Sequence, residues 1–351
     1  MITEIFEDLI DQQNDLTEEQ AYACMDDMIN ETCNDNIIAA FLIALRIKGE
    51  TIPEITGFAK SMRDHGQHVD YKPKGYMLDA CGTGGDTFKT FNVSTAASII
   101  ASSGGAEISK HGNRSVSSKC GGADVLEALG VNITAGPEVN KNSLEHCNYG
   151  FLFAPIYHPA TKNVMGIRKS LNTHTVFNLL GPLICPSNLN AQMMGIYDPE
   201  LIEDISKVLV NLGRERAMIV HGFDQNGNPA MDEISIIGKT KVAFIDHGKI
   251  EIKYISPEDF GCETVNPDYI KAPDTLEEHV QIIKDILDNK QETKENKARL
   301  DLALINSSAM LYVADKVKNL KEGVELSKKL VEDGSAKEQL NKIIKYSNEK
   351  L

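Results

Sequence analysis

Two segments between Gly82 and Asp124 concentrate the residue types that hold phosphate. The first, Gly82-Thr-Gly84-Gly85-Asp86, follows a short apolar strand, and its missing Cβ atoms allow positive φ and close backbone approach to a ligand. Thr90-Phe-Asn92-Val93-Ser94-Thr95 then precedes the apolar run Ala96 to Ala101, placing small polar side chains at a helix start. Unpaired amides and the positive end of the helix dipole favour an anion there. The second segment runs Lys110-His111-Gly112-Asn113-Arg114-Ser115-Val116-Ser117-Ser118-Lys119 and continues through Gly121 and Gly122. It crowds cationic, amide and hydroxyl donors into one loop after the strand Ala106 to Ser109 and before a helical pattern, Val125 to Leu129. Four cations (Lys89, Lys110, Arg114, Lys119) face three acids (Asp86, Glu107, Asp124), a local balance of +1 in a chain of net charge −15. A cleft of matching sign concentrates an anionic substrate even where the whole protein repels it. Read residue by residue, the same features also suit a tight strand-to-helix turn with an ordinary Ser or Thr cap.

Neither standard nucleotide signature is complete. Gly82-x-Gly84 has Thr87 where a third glycine belongs, and Gly238-Lys-Thr has Glu233 five residues upstream where a glycine belongs. Further along, the adjacent carboxylates Asp232 and Glu233 have the hard oxygen donors that hold Mg2+ beside substrate phosphates, although such a pair is more often simply solvated. His158 and Arg168 add a lone imidazole and a cation, which in isolation read as a loop residue and a helix-surface charge.

The elements that must position these residues follow from the hydrophobic periodicity. Ile2, Ile5, Phe6 and Leu9, then Ala21, Met25, Met28 and Ile29 behind a Thr17-x-x-Gln20 capping box, predict a small helical bundle. More helix is expected over Ile37 to Ile47 and from Pro53 to about Met62, with His65 to Lys74 as the linker. From Tyr76 short apolar strands alternate with glycine turns and helices, the texture of an α/β domain with a largely parallel sheet. A hairpin is expected to turn at Asp246 to Gly248, and the last 75 residues return to helical spacing.

With 351 residues, 42% hydrophobic and 25% charged, the chain reads as a globular protein of two domains or one enlarged α/β domain. The acidic N-terminus and the lack of a long apolar run argue against export and membrane insertion. Seven scattered cysteines, none in a C-x-x-C pair, indicate neither a disulfide framework nor zinc, and a reducing cytoplasmic setting fits best. The net charge argues against nucleic acid as a partner.

Taken together, Gly82 to Asp86, Thr90 to Thr95, Lys110 to Ser118, Phe177-Asn-Leu-Leu-Gly-Pro182 and Asp232-Glu233 resemble the anthranilate phosphoribosyltransferase family in order and spacing. The likeness runs from the N-terminal helices to Asn306-Ser-Ser-Ala-Met-Leu-Tyr-Val-Ala314. It implies a nucleoside-phosphorylase-like fold with a small helical domain (1–70 plus about 165–185), a large α/β domain (75–164 plus 186–351), and an active site in the hinge cleft. It also implies a homodimer and Mg2+ as cofactor, with two ions. Phosphoribosyl pyrophosphate would be bound by Gly82, Gly85, Asp86, Thr90, Asn92, Val93, Ser94, Thr95, Lys110, His111, Gly112, Asn113, Arg114, Ser115, Val116, Ser117, Ser118 and Gly122. Anthranilate would meet Gly82, Asn113, His158 and Arg168, and the metal Ser94, Asp232 and Glu233. No general base is expected; Lys110, Asn113 and Arg168 would act through electrostatics and positioning. The chain departs from the family pattern at Cys120-Gly121-Gly122, at Leu171-Asn172-Thr173-His174-Thr175, where a cation is missing, and in an extra loop over Asp224 to Pro229. Two readings compete: a pyrimidine nucleoside phosphorylase, whose relatives have Lys-His-Ser-Thr-Gly-Gly in place of Lys110 to Arg114, and a nucleic-acid-binding module of the same fold.

Overall fold

The computed structural model describes residues 1–114 and 120–350. The chain opens with four helices, α1 (Ile2–Asp11), α2 (Glu18–Ile29), α3 (Asp35–Lys48) and α4 (Ile52–Asp64). The Thr17/Gln20 box closes in both directions: Gln20 N donates to Thr17 Oγ1 at 3.2 Å and Thr17 N to Gln20 Oε1 at 2.9 Å. A second box, Thr51 with Glu54, starts α4. Ile2, Ile5 and Leu9 join Met25, Met28, Phe41, Leu42 and Phe58 in one core, as the three-to-four residue spacing requires. The expected linker is strapped down rather than solvated. Val69 and Tyr71 are buried with Leu144, Tyr157 and Cys185, and Val69 N donates to Pro186 O at 3.2 Å.

Eight strands form one sheet: β1 (Met77–Gly82), β2 (Glu107–Gly112), β3 (Tyr149–Phe153), β4 (Ala191–Gly195), β5 (Arg216–Phe223), β6 (Pro229–Met231), β7 (Thr240–Asp246) and β8 (Lys249–Ile255). Their order is β3-β2-β1-β4-β5-β7-β8, with β6 beside β5. The first five neighbours are parallel and the pairs involving β6, β7 and β8 are antiparallel. β7 and β8 are joined through His247 and Gly248, both at positive φ (47° and 82°), the geometry a two-residue hairpin turn demands.

β5 and β7 bury both faces with a period of two. Met218, Val220 and Val242 enter one core with the C-terminal helices, while Ala217, Ile219, Ala243 and Ile245 enter the other. That second core contains the helix Ile202–Asn211 and is continuous with the N-terminal bundle. Val164, Ile167, Phe177, Leu180 and Leu183 belong to it as well, so the helix Lys162–Leu171 and the turn that follows pack with the N-terminal helices. The last stretch is four helices, Leu276–Leu287, Lys294–Val313, Leu320–Glu332 and Ser335–Ser347. No helix among the described residues is long and apolar enough to cross a membrane.

Candidate active site

The chain leaves β1 for β2 and β3 on one side and returns to β4 on the other, so the order of a parallel sheet reverses between β1 and β4. A crevice opens at such a switch point, beyond the carboxyl ends of the strands. Gly82 and Gly195 end the two strands and face each other in register. Both press on Asp232, Gly195 on its backbone and Gly82 on its carboxylate. A Cβ on Gly195 would lie 1.6 Å from the Asp232 carbonyl oxygen, and one on Gly82 would lie 2.4 Å from Asp232 Oδ2. The paired glycines thus make the seat on which Asp232 rests.

From that seat the Asp232 carboxylate accepts the Gly84 amide at 2.8 Å, and Glu233 Oε1 accepts the Ser94 amide at 3.2 Å. The first glycine loop and the start of α5 (Val93–Ser103) are therefore tied to the acidic pair across 148 and 139 residues of sequence. The helix begins three residues earlier than the apolar run suggests. Asn92 caps it by position but makes no capping hydrogen bond, so the expected Ser or Thr cap is not what these side chains do. Among the described residues, Asn92 Oδ1 and Thr95 Oγ1 are buried without a hydrogen-bond partner. Buried polar atoms left open at a helix N-terminus suit an anionic ligand.

Lys110 is 3% exposed on β2 and directs its ammonium to the Ala80 carbonyl and, at 3.4 Å, to Ser94 Oγ. Gly122 begins α6 (Gly122–Ala128) beside it. A Cβ there would touch Thr95 Oγ1 at 3.4 Å and Lys110 Cε at 4.0 Å, so Gly122 lines the same recess despite lacking a hydroxyl. Val93 is buried beneath. Gly85, at φ 83°, and the exposed Gly84, at φ 65°, shape the loop, and Thr90 bridges to Lys271. Asp86 pairs with Lys89 at 2.7 Å.

Asp232 and Glu233 are both driven well above the ordinary carboxylate range. Burial is the main cause for each, followed by Asp86 for Asp232 and by Asp232 itself for Glu233; Lys89 and Lys110 offset part of it. Carboxylates crowded in this way gain most from a cation, and their hard oxygens fit Mg2+. No group of three or more His, Cys, Asp or Glu side chains among the described residues forms a ready-made metal cage. The remaining ligands would have to come from substrate phosphates and water, which is the usual Mg2+ arrangement.

The other expected residues fall into two groups. Gly112 abuts Phe151, leaving no room for a Cβ (2.9 Å to Cε2). Asn113 is exposed; its Oδ1 accepts the Arg114 amide at 2.8 Å and its carbonyl the Ala123 amide at 3.4 Å. Arg114 turns to α6, pairing with Asp124 at 2.7 Å and Glu127 at 2.8 Å over the Phe153 ring. His111 points the other way. Its amide donates to buried Asp79 at 3.0 Å, its Nδ1 lies 3.1 Å from the Gly181 carbonyl, and its ring meets His158 edge-on at 5.1 Å. Burial holds both imidazoles in the neutral form, His158 being pushed down to about 3. Arg168 stacks over Phe177 at 4.9 Å, beside the core shared with the N-terminal helices, and makes no ion pair among the described residues. The structure thus joins Gly82, Ser94, Lys110, Gly122, Asp232 and Glu233 in one recess, whereas His158 meets the His111 ring, which points to the Gly181 carbonyl. It leaves Arg168 apart from that recess, against the Phe177 ring. Ser115, Val116, Ser117, Ser118 and Lys119 lie outside the described residues.

Several contributors carry no local signal in the sequence. Gly195 and Asp79 matter only through strands paired in space, and Gln192, which donates to Pro182 O at 2.6 Å, braces the hinge turn from the sheet. The extra loop closes on itself: the Asp224 carboxylate accepts the Asn226 and Asn228 amides at 2.8 Å each, leaving Asp232 anchored at Gly84.

Comparison with known proteins agrees with this geometry. Residues 3–66 match the model of the "Glycosyl transferase family, helical bundle domain" and residues 74–337 that of the "Glycosyl transferase family, a/b domain". The chain is 64% identical to the anthranilate phosphoribosyltransferase of Methanosphaera stadtmanae over 99% of its own length and 100% of the relative's. It is 44% identical to that of Methanothermobacter thermautotrophicus, covering 99% and 97%. Among solved structures, the Thermus thermophilus anthranilate phosphoribosyltransferase superposes with a TM-score of 0.88 at 33% identity, covering 98% of this chain and 99% of the other. The Saccharomyces cerevisiae enzyme in complex with phosphoribosyl pyrophosphate and Mg superposes with a TM-score of 0.87 at 27% identity, covering 99% and 97%. The same yeast enzyme has also been solved with 4-fluoroanthranilate. A helical bundle, a sheet that reverses beside two registered glycines, and similarity to these relatives along the full length lead to one conclusion: the chain belongs to the anthranilate phosphoribosyltransferase family.

Proposed function

We propose that this chain transfers the phosphoribosyl group of 5-phosphoribosyl 1-pyrophosphate to the amino group of anthranilate, a step of tryptophan biosynthesis that releases pyrophosphate and N-(5-phosphoribosyl)anthranilate. The observation that carries the reading is the coupling of the acidic pair to the anion-binding elements, through the Gly84 and Ser94 amides, at the switch point of the sheet.

The bond from C1 of the ribose to the pyrophosphate oxygen breaks as the anthranilate nitrogen attacks. Positive charge builds on the sugar ring and negative charge on the leaving group. Ser94, Asp232 and Glu233 would hold Mg2+, which would supply positive charge to the departing pyrophosphate, and we take the number of ions to be two. Lys110 and Thr95, both buried, and the α5 amides are preorganised donors, and fixed charges of this kind need no reorganisation. The donor substrate would span Gly82, Gly85, Asp86, Thr90, Asn92 to Thr95, Lys110 to Ser118 and Gly122. Arg168 would pair with the anthranilate carboxylate, while Gly82, Asn113 and the neutral His158 orient the ring. An aromatic amine is unprotonated at neutral pH, and the proton it sheds as the N–C1 bond forms passes to the departing pyrophosphate or to water, so no residue is assigned as a general base.

The same reading divides the chain into a helical domain (1–70 plus about 165–185) and an α/β domain (75–164 plus 186–351) that close on the cleft. It makes the protein a cytoplasmic homodimer. A groove of about 480 Å³ between α1 and α3, lined by Leu9, Ile10, Ala40, Ile43, Ile47 and Leu171, supports the dimer. Ile47, 71% exposed, and Ile10, 48% exposed, are apolar surface of the kind a second copy covers. The test is product identity: incubation with both substrates and Mg2+ should yield pyrophosphate and phosphoribosylanthranilate in equal amounts by chromatography and mass spectrometry. Pyrophosphate without the coupled product would reduce the protein to a hydrolase and sink the reading.

A further inference from the structure

Asn306 is fully buried near the middle of the helix Lys294–Val313, among Leu302, Ala303, Leu304, Ile305, Ala309 and Met310. An amide is poorly suited to that place, because burial is costly and a helix interior offers it little. Its hydrogen bonds explain it. Asn306 Oδ1 accepts the Ile234 amide at 3.0 Å, and Nδ2 donates to the Ile234 carbonyl at 3.2 Å and to the Leu302 carbonyl at 2.9 Å. The side chain reads both polar groups of the residue that follows Glu233, much as a neighbouring strand would, and uses both amide protons in doing so.

The acidic pair lies in a turn between β6 and β7 that needs such a hold. On one side the backbone is wedged against glycines: a Cβ on Gly195 would strike the Asp232 carbonyl at 1.6 Å, and one on Gly222 would approach the Glu233 carbonyl to 2.7 Å. The two carboxylates are aimed at Gly84 and Ser94. Past Glu233 the turn is fastened by side chains, with Ser235 N donating to Thr240 Oγ1 at 2.9 Å and Ile234 fixed by Asn306. Asn306 is the one of these anchors that comes from a remote helix, 72 residues away in sequence.

We propose that Asn306 is a positioning residue for the metal: it locks the peptide after Glu233 so that Asp232 and Glu233 present their carboxylates to Mg2+ at the first glycine loop and the start of α5. The proposal rests on the assignment of the acidic pair to the metal. Residues that orient metal ligands from behind change metal affinity by about 10- to 100-fold when lost.

The experiment measures metal binding directly, with Mn2+ titrated against the full-length protein in the presence of inorganic pyrophosphate and free Mn2+ followed by electron paramagnetic resonance. N306A and N306D are compared with D232N/E233Q and with S307A. Ser307 is equally buried in the same helix and accepts the Ser327 hydroxyl at 3.0 Å, so S307A perturbs the helix without addressing the turn. The expected result is a Mn2+ midpoint raised about tenfold in N306A and N306D, unchanged in S307A, and lost in D232N/E233Q. N306D keeps the volume of the side chain while turning an acceptor toward the Ile234 and Leu302 carbonyls, so it decides the matter if N306A does not fold. Wild-type midpoints in the Asn306 variants with loss in D232N/E233Q would overturn the role of Asn306 alone. A wild-type midpoint in D232N/E233Q would overturn the metal assignment and this role with it.

Discussion

Replacing Gly82 by alanine isolates the seat of the acidic pair from everything else the strand does. Gly82 ends β1, where an alanine backbone is at ease, so the change adds one methyl group and little strain. That methyl would lie 2.4 Å from Asp232 Oδ2 and 3.1 Å from its Cγ, whereas ordinary contact begins near 3.4 Å. The carboxylate is the mobile end of its side chain and must retreat by about 1 Å, which stretches its 2.8 Å bond from the Gly84 amide beyond useful range. A hydrogen bond to a charged group contributes about 1.5–3 kcal/mol, so kcat/KM measured at limiting Mg2+ should fall about 10- to 100-fold. Global stability should hardly change, because the displaced group turns toward the open cleft. The assay is anthranilate fluorescence at several Mg2+ concentrations, paired with a thermal melt. A G82A variant within threefold of wild type, with an unchanged Mg2+ midpoint, would refute the idea that this glycine is kept for Asp232. Gly85→Ala is the contrast: its nearest neighbour would be Tyr197 Cβ at 3.9 Å, and the burden there is φ 83° rather than a clash.

Three further outcomes are expected. Arg168→Ala should raise the KM for anthranilate about 10-fold or more while sparing that for phosphoribosyl pyrophosphate, and an unchanged anthranilate KM would remove Arg168 from the acceptor site. Glu127→Gln should free Arg114 from one of its two partners on α6 and lower the KM for phosphoribosyl pyrophosphate about threefold at low salt; no change would mean that Arg114 does not reach the donor substrate. Because burial raises both carboxylates, with Asp86 adding to Asp232 and Asp232 to Glu233, Mg2+ must displace protons from them, and its apparent affinity should weaken as pH falls, by up to about tenfold per unit for each proton displaced. The linkage sign is opposite to that of a salt-bridged carboxylate. Their contribution to stability is present below the unfolded carboxylate pKa of about 4 and is lost as pH rises through the raised values, so added Mg2+ should lift the melting temperature more at about pH 8.5 than at about pH 5.5. An equal lift at both would contradict the sign.

What the sequence discloses follows from how local each signal is. The Thr17/Gln20 box, the amphipathic α1 and the His247-Gly248 turn are set within a few residues of themselves and can be read directly. The start of α5 is harder, because Val93, Ser94 and Thr95 look like a polar cap in sequence while in the fold they already belong to the helix. The strap from Gln67 to Tyr71 reads as a linker by composition. Only the tertiary contacts of Val69 with Pro186, and of Tyr71 with Glu107, reveal that it is fixed. Gly195 carries no local signal, and Asn306 stands in the C-terminal motif without disclosing what it does, for one physical reason: each is defined by what a strand pairing or a remote helix brings against Asp232 or Ile234.

The central claim is that the acidic pair, seated on Gly82 and tied to Gly84 and Ser94, serves a phosphoribosyl transfer to anthranilate. Mixing the protein with Mg2+, phosphoribosyl pyrophosphate and anthranilate and following the loss of anthranilate fluorescence tests it most directly, with D232A/E233A alongside. The wild-type signal should decay only when all three are present, and the double variant should be silent. No decay in the wild type, or decay of equal rate in the double variant, would contradict the claim.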